Sequence, residues 1–208
     1  MWKKYLIQLC LVSLVVGCAA GNRYNYRAQS VQLPLKTSAQ SLIVLTVEDL
    51  RPYVVTGEKG ADFVGLQRGG FGNPFDVTTV SGEPLVQDML FAVAGGLENA
   101  GYAVTAVTGK SQMAQLVEVA RQNQADRIVW LRVHEWRSDI YMSIGLGYDL
   151  RLAVYDANGN LLAQNQTRGH EAVGGGKLTA DRNSQHMALE FSKRIGYLFN
   201  GPAIRAAF

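Results

Sequence analysis

Three histidines set the ceiling on proton-transfer chemistry in this chain. His134 and His170 are each followed by a glutamate, and His186 stands in a polar stretch. A hydrolytic triad needs a nucleophile, a base and an orienting group brought together. No G-x-S-x-G elbow is present, and both thiols, Cys10 and Cys18, lie close to the N-terminus. The His-Glu dipeptides invite a metal reading, but neighbouring side chains on a strand point to opposite faces, so neither dipeptide chelates as a unit. There is no H-E-x-x-H either. We therefore expect two independent surface histidines, no metal, no cofactor and no catalysis. Glu48 and Asp49 form an acidic pair of a kind too common to indicate an enzyme acting on peptidoglycan or glycans.

Two other groupings bear on binding. Asp49 and Arg51 lie two apart beside Pro52, so on extended backbone both side chains face the same way. We expect a structural pair that orders the end of a strand, with a partner-binding pair as the alternative. In the run from Ile128 to Trp136, strict alternation places Val129, Leu131 and Val133 on one face and Trp130, Arg132, His134 and Trp136 on the other. The first face is core. Aromatic and Arg side chains are enriched in binding hot spots, which makes the second row a candidate partner surface. Packing across strands, or beneath a flap, is the competing reading.

The elements that must position these residues follow from hydrophobic period. Leu42 to Val47 is a continuous apolar run of strand length. Tyr53 to Gly82 is rich in glycine, holds Phe63, Phe71 and Phe75, and reads as a hairpin or flap. Ser81 is a candidate cap for a helix whose stripe runs through Leu85, Met89, Val93 and Leu97 and stops at Gly101. A second strand covers Tyr102 to Val107, and a helix opened by Ser111 carries Met113, Leu116, Val117 and Ala120. Tyr148, Leu150, Leu152 and Val154 alternate before Asn158-Gly159, and Leu161 to Thr167 returns, a strong hairpin signal. A last helix begins at Thr179 or Asp181 and buries Met187, Phe191, Ile195 and Leu198. This order predicts an α+β domain with a mixed or largely antiparallel sheet and helices packed on one face; a doubly wound sheet is the alternative.

The N-terminus supplies an address. Lys3 and Lys4 precede an apolar stretch from Tyr5 to Val16, then Gly17 and Cys18, which resembles a bacterial lipoprotein signal. On this reading residues 1–17 are removed, and Cys18 carries the acyl chains and becomes the first residue of the mature protein. Residues 18–40 are a polar tether, with a short strand at Val31 to Leu35, and 41–208 form a single domain. The formal net charge of +3 drops by two when Lys3 and Lys4 leave with the signal, so no basic footprint for nucleic acid remains. Ala19 is not the Asp associated with inner-membrane retention in enteric bacteria, which predicts the outer membrane, on its periplasmic side.

The strand leading to Glu48-Asp49-x-Arg51, the helix ending at Gly101-Tyr102-Ala103-Val104, and the closing hairpin and helix resemble the YajG-type family of uncharacterised lipoproteins. The resemblance implies an outer-membrane or periplasmic lipoprotein without assigned catalysis. The expected function is a noncatalytic, lipid-anchored envelope protein that binds a protein or another envelope component. The rival is a carrier holding an apolar ligand between the sheet and the glycine-rich flap.

Overall fold

The structure, a computed structural model, describes residues 21–27, 31–36, 41–176 and 179–208. The expected signal and the acylated Cys18 lie outside the described residues. One eight-stranded mixed sheet organises the rest. Its strands are β1 (Arg23–Tyr24), β2 (Leu42–Asp49), β3 (Phe63–Arg68), β4 (Pro74–Thr79), β5 (Ala103–Val107), β6 (Arg127–Ile140), β7 (Ile144–Asp156) and β8 (Leu161–Gly174). The longest ladders, β6 with β7 and β7 with β8, are antiparallel.

β6 is the spine of the sheet. Along one edge it pairs with β7 over its whole length, while along the other it pairs in parallel with β2 from Arg127 to Val133 and then with β3 from Ser138 to Ile140. The sheet therefore changes partners halfway along one strand. A β-bulge marks that point, because Val133 faces Leu150 and Glu135 faces Asp149, leaving His134 as the extra residue.

The glycine-rich segment forms the β3–β4 hairpin, and its strands join the sheet edgewise instead of lying over it. Gly65 allows this, since a Cβ there would collide with the Ser138 side chain and carbonyl across the ladder. Among the described residues the hairpin thus forms no lid over the sheet face.

Helices α1 (Pro52–Val55), α2 (Leu85–Asn99), α3 (Met113–Asn123), α4 (Ala180–Phe199) and α5 (Pro202–Ala207) complete the fold. α2, α4 and α5 pack on one face, where the principal core gathers Ile43, Leu45, Val129, Leu131, Val133, Leu150, Met89, Leu97, Phe191 and Ile195. α3 adds a smaller cluster on the opposite face, seating Leu116 and Ala120 on Val44, Ile128 and Trp130. The α2 stop is as expected, with Gly101 at φ 98°. The Gly101 and Tyr102 amides close the helix onto the Glu98 and Leu97 carbonyls. Ser81 does not cap α2; its hydroxyl donates to Asp88 within the helix, 2.9 Å away. The Asn158-Gly159 turn forms as expected, with Asp156 Oδ1 accepting the Asn158 and Asn160 amides at 2.9 Å each.

The tether is shorter than its polar composition implied. Tyr24, Tyr26, Val31 and Leu35 are all buried in the principal core, so the domain takes in residues before 41. β1 pairs in parallel with β4, and Tyr26 meets Trp136 and Phe191 edge to face at 6.1 and 5.8 Å between ring centroids. Aromatic pairs at such separations stabilise beyond their buried area, which offsets the entropy of ordering an otherwise polar segment.

Candidate functional site

The bulge at His134 decides what each residue of the expected row does. Before it, Trp130 and Arg132 face away from the principal core; after it, the alternation is reset and Trp136 turns inward. Trp136 is fully buried and donates its indole N–H to the Tyr26 hydroxyl at 2.9 Å. The row of four expected on one face is therefore broken, and Trp136 belongs to the core. Trp130 is covered by α3 and by the Arg132 guanidinium, whose carbon lies 4.0 Å from the ring centroid. Arg132 also reaches Glu48 at 3.4 Å, while His134 stays on the face of Trp130, beyond the part that α3 covers.

Asp49 and Arg51 come together. Arg51 donates from Nε and Nη2 to the two Asp49 carboxylate oxygens at 2.8 and 2.7 Å. It also donates to the carbonyls of Ala61, at 3.0 Å, and Phe63. Its side chain has no solvent exposure, so the guanidinium ties the end of β2 to the start of β3 at the point where β6 exchanges partners. Glu48 and Asp49 are thus each engaged by an arginine.

What the face does present was not visible as a row in the sequence. The register aligns Glu135, Asp149 and Arg168 across β6, β7 and β8, and next to them Arg137, Gly147 and His170. Gly147 leaves the middle of this band without a side chain, opening a groove of about 650 Å³ lined by Pro52, His134, Arg137, Asp139, Arg168 and His170. A second groove of about 650 Å³ continues along the same ribbons past Arg132, Arg151 and Gln166, sharing His134.

Burial, the largest influence, pushes the His134 imidazole below its ordinary value near 6.5; Arg151 and Arg132 act in the same sense, against Asp149 and Glu48. Its Nε2 is buried without a hydrogen-bond partner among the described residues. The Arg68 guanidinium, bonded to Asp139, holds that carboxyl below the usual carboxylate range, with Arg137 and His170 adding to the effect. Among the described residues Arg137 and Arg168 make no salt bridge, and both are exposed. Two exposed guanidinium groups and an imidazole stand here beside Glu135, Asp139 and Asp149, so around its glycine floor the groove offers both paired N–H donors and carboxylates to a partner of mixed charge. Among the described residues no three of His, Cys, Asp and Glu gather where a metal could be held.

No family model matches the chain, and no curated protein matches it. The YajG-type resemblance thus rests on the residues that carry it. Among solved structures, protein XCC0632 from Xanthomonas campestris is 13% identical with a TM-score of 0.46, over 81% of this chain and 91% of that one. Lipoprotein GNA1162 from Neisseria meningitidis is 15% identical with a TM-score of 0.40, over 78% of this chain and 100% of that one. The PelC dodecamer from Paraburkholderia phytofirmans is 12% identical with a TM-score of 0.42, over 84% of this chain and 93% of that one. At these scores the likeness bears on neither the groove nor its chemistry.

Proposed function

We propose that this chain is a noncatalytic lipoprotein of the bacterial envelope, anchored through acylated Cys18 in the outer membrane on its periplasmic side. Its task on this reading is to bind a protein or another envelope component with the part of the β6, β7 and β8 face that lies beyond α3. The groove over Gly147 carries the proposal, because it gathers Arg137, Arg168 and His170 from two strands around one opening. The lipobox-like Gly17-Cys18 and the resemblance to YajG-type lipoproteins support the address. Trp130 and Arg132 remain at the border of this face, where Arg132 lines the second groove. Trp136 has no part in the surface.

A photo-crosslinking side chain in place of Arg168, in intact cells, is expected to yield a discrete adduct that the same group at Tyr197 does not. Tyr197 is exposed on α4 and lies outside both grooves. The same pattern of products from both positions would remove the binding role from this face.

A further inference from the structure

The sheet register fixes which end of the domain is nearest the anchor. β1 runs parallel to β4 with Arg23 opposite Thr78, and Gly21 is pressed so close to the Asp76 carbonyl that a Cβ would overlap it. From Asp76 the ladders lead across to Leu66, Asp139 and Gly145. Gly21 thus sits in the row of Gly145, at the end of the sheet where the β3–β4 and β6–β7 hairpins turn. Cys18 is three residues before Gly21, and three residues span at most ~11 Å whatever their conformation. The other end of the sheet, at the turn after Asp156, is eleven residues further along β7, or ~37 Å. The anchor cannot reach it.

The near end carries exposed apolar side chains at both hairpin tips. Phe71 is 100% exposed, and Tyr141 and Met142 are 59% and 66% exposed. Phe71 stands in Gly69-Gly70-Phe71-Gly72, where the Gly69 amide bonds the Asn73 carbonyl and the Gly72 amide bonds the Gly69 carbonyl, so the loop is a closed turn that holds the ring outward. The neighbouring acids are neutralised, Asp76 by Lys59 and Asp139 by Arg68, which lowers repulsion from anionic headgroups. Exposed apolar residues also occur at the far end, such as Leu161, Leu162 and Tyr197, so exposure alone does not select a face. The length of chain to Cys18 does.

We infer that the two hairpin tips, through Phe71, Tyr141 and Met142, insert into the interfacial layer of the same membrane leaflet that holds the acyl chains of Cys18. This rests on the anchor reading above. Aromatic side chains partition into the interfacial layer, and each added apolar contact supplements the acyl chains. The tips fix how the domain stands: β6, β7 and β8 rise from the membrane, and the groove over Gly147 opens sideways, a short distance above the headgroups.

The test uses the full acylated protein in vesicles of phosphatidylethanolamine and phosphatidylglycerol, with and without lipids brominated near the top of the acyl chains. Trp130 and Trp136 are buried and give a constant background, measured on the unaltered protein. Phe71→Trp is expected to add emission that shifts to the blue on reconstitution and is lost with brominated lipid, while the emission added by Tyr197→Trp is unaffected. If Phe71→Trp emission survives brominated lipid in protein whose mass shows acylated Cys18, the tips do not insert and the anchor reading stands. Equal quenching at Tyr197→Trp overturns the orientation. A mass without acyl chains overturns the anchor reading and this inference with it.

Discussion

Replacing Trp136 with Ala is expected to lower the unfolding free energy by ~3–5 kcal/mol, the cost of truncating a fully buried aromatic side chain. The ring packs edge to face on Tyr26 and Phe191, with centroids 6.1 and 5.7 Å away, and its indole N–H is bonded to the Tyr26 hydroxyl. Removing it opens a cavity between the sheet and α4 and leaves that buried hydroxyl without its donor, a further ~1–3 kcal/mol if no water replaces it. Burial already holds the Tyr26 phenol protonated, so the group stays a neutral dipole seeking a partner. Urea unfolding of the purified chain reads the loss as a lower midpoint at unchanged slope. A loss under ~1 kcal/mol, the size of a typical surface substitution or less, would return Trp136 to the exposed row.

Arg51→Met is the second substitution with a large expected effect, also ~3–5 kcal/mol, because it strips one partner from a buried ion pair. Asp49 would keep its charge with little solvent, and the Ala61 and Phe63 carbonyls would lose their donor. Arg51→Lys is expected to recover only a small part, since an ammonium cannot bond both carboxylate oxygens in a fork and reach two carbonyls as well. The same unfolding measurement checks both variants. Full stability in the Lys variant would show that charge alone, and not the geometry of the guanidinium, holds β2 to β3. Hydrogen exchange adds a local readout: the amides of β3 and β4 are expected to lose protection before those of β7 and β8, because Arg51 secures the junction and not the long ribbons.

The parts of the fold with strong period were readable from residues alone. The stripe Met187, Phe191, Ile195 and Leu198 and the Asn158-Gly159 hairpin are found where the pattern places them. Three features were not readable in that way, each for a physical reason. β1 is two residues long and embedded in polar neighbours, and only the spacing of Tyr24 and Tyr26 hints at a buried face. The β3–β4 hairpin is dense in glycine, so its apolar alternation is interrupted wherever a backbone must approach a neighbour, as at Gly65. The bulge at His134 inserts one residue into a period of two, which moves Trp136 to the other face. A signal for it exists: the core row Val129, Leu131, Val133 resumes at Trp136 after two consecutive polar residues, the spacing a bulge produces.

The candidate site was harder to read than the fold, because its residues are spread over strands whose register the sequence does not state. Arg137, Arg168 and His170 are unremarkable one by one. They become a site only when β7 places Gly147 between them, and that depends on the ladders on both sides of β7. His134 stands out in the sequence by its residue type alone, and it lies where the two grooves meet because the bulge puts it there.

The envelope address of the partner-binding face and the membrane-facing hairpin tips both depend on the anchor at Cys18, so the intact mass of the protein extracted from cell membranes tests the account most directly. The predicted species begins at Cys18, lacks residues 1–17, and is heavier than residues 18–208 by the mass of the lipid carried on Cys18. A membrane-extracted chain that begins elsewhere, or whose Cys18 carries no lipid, would contradict it.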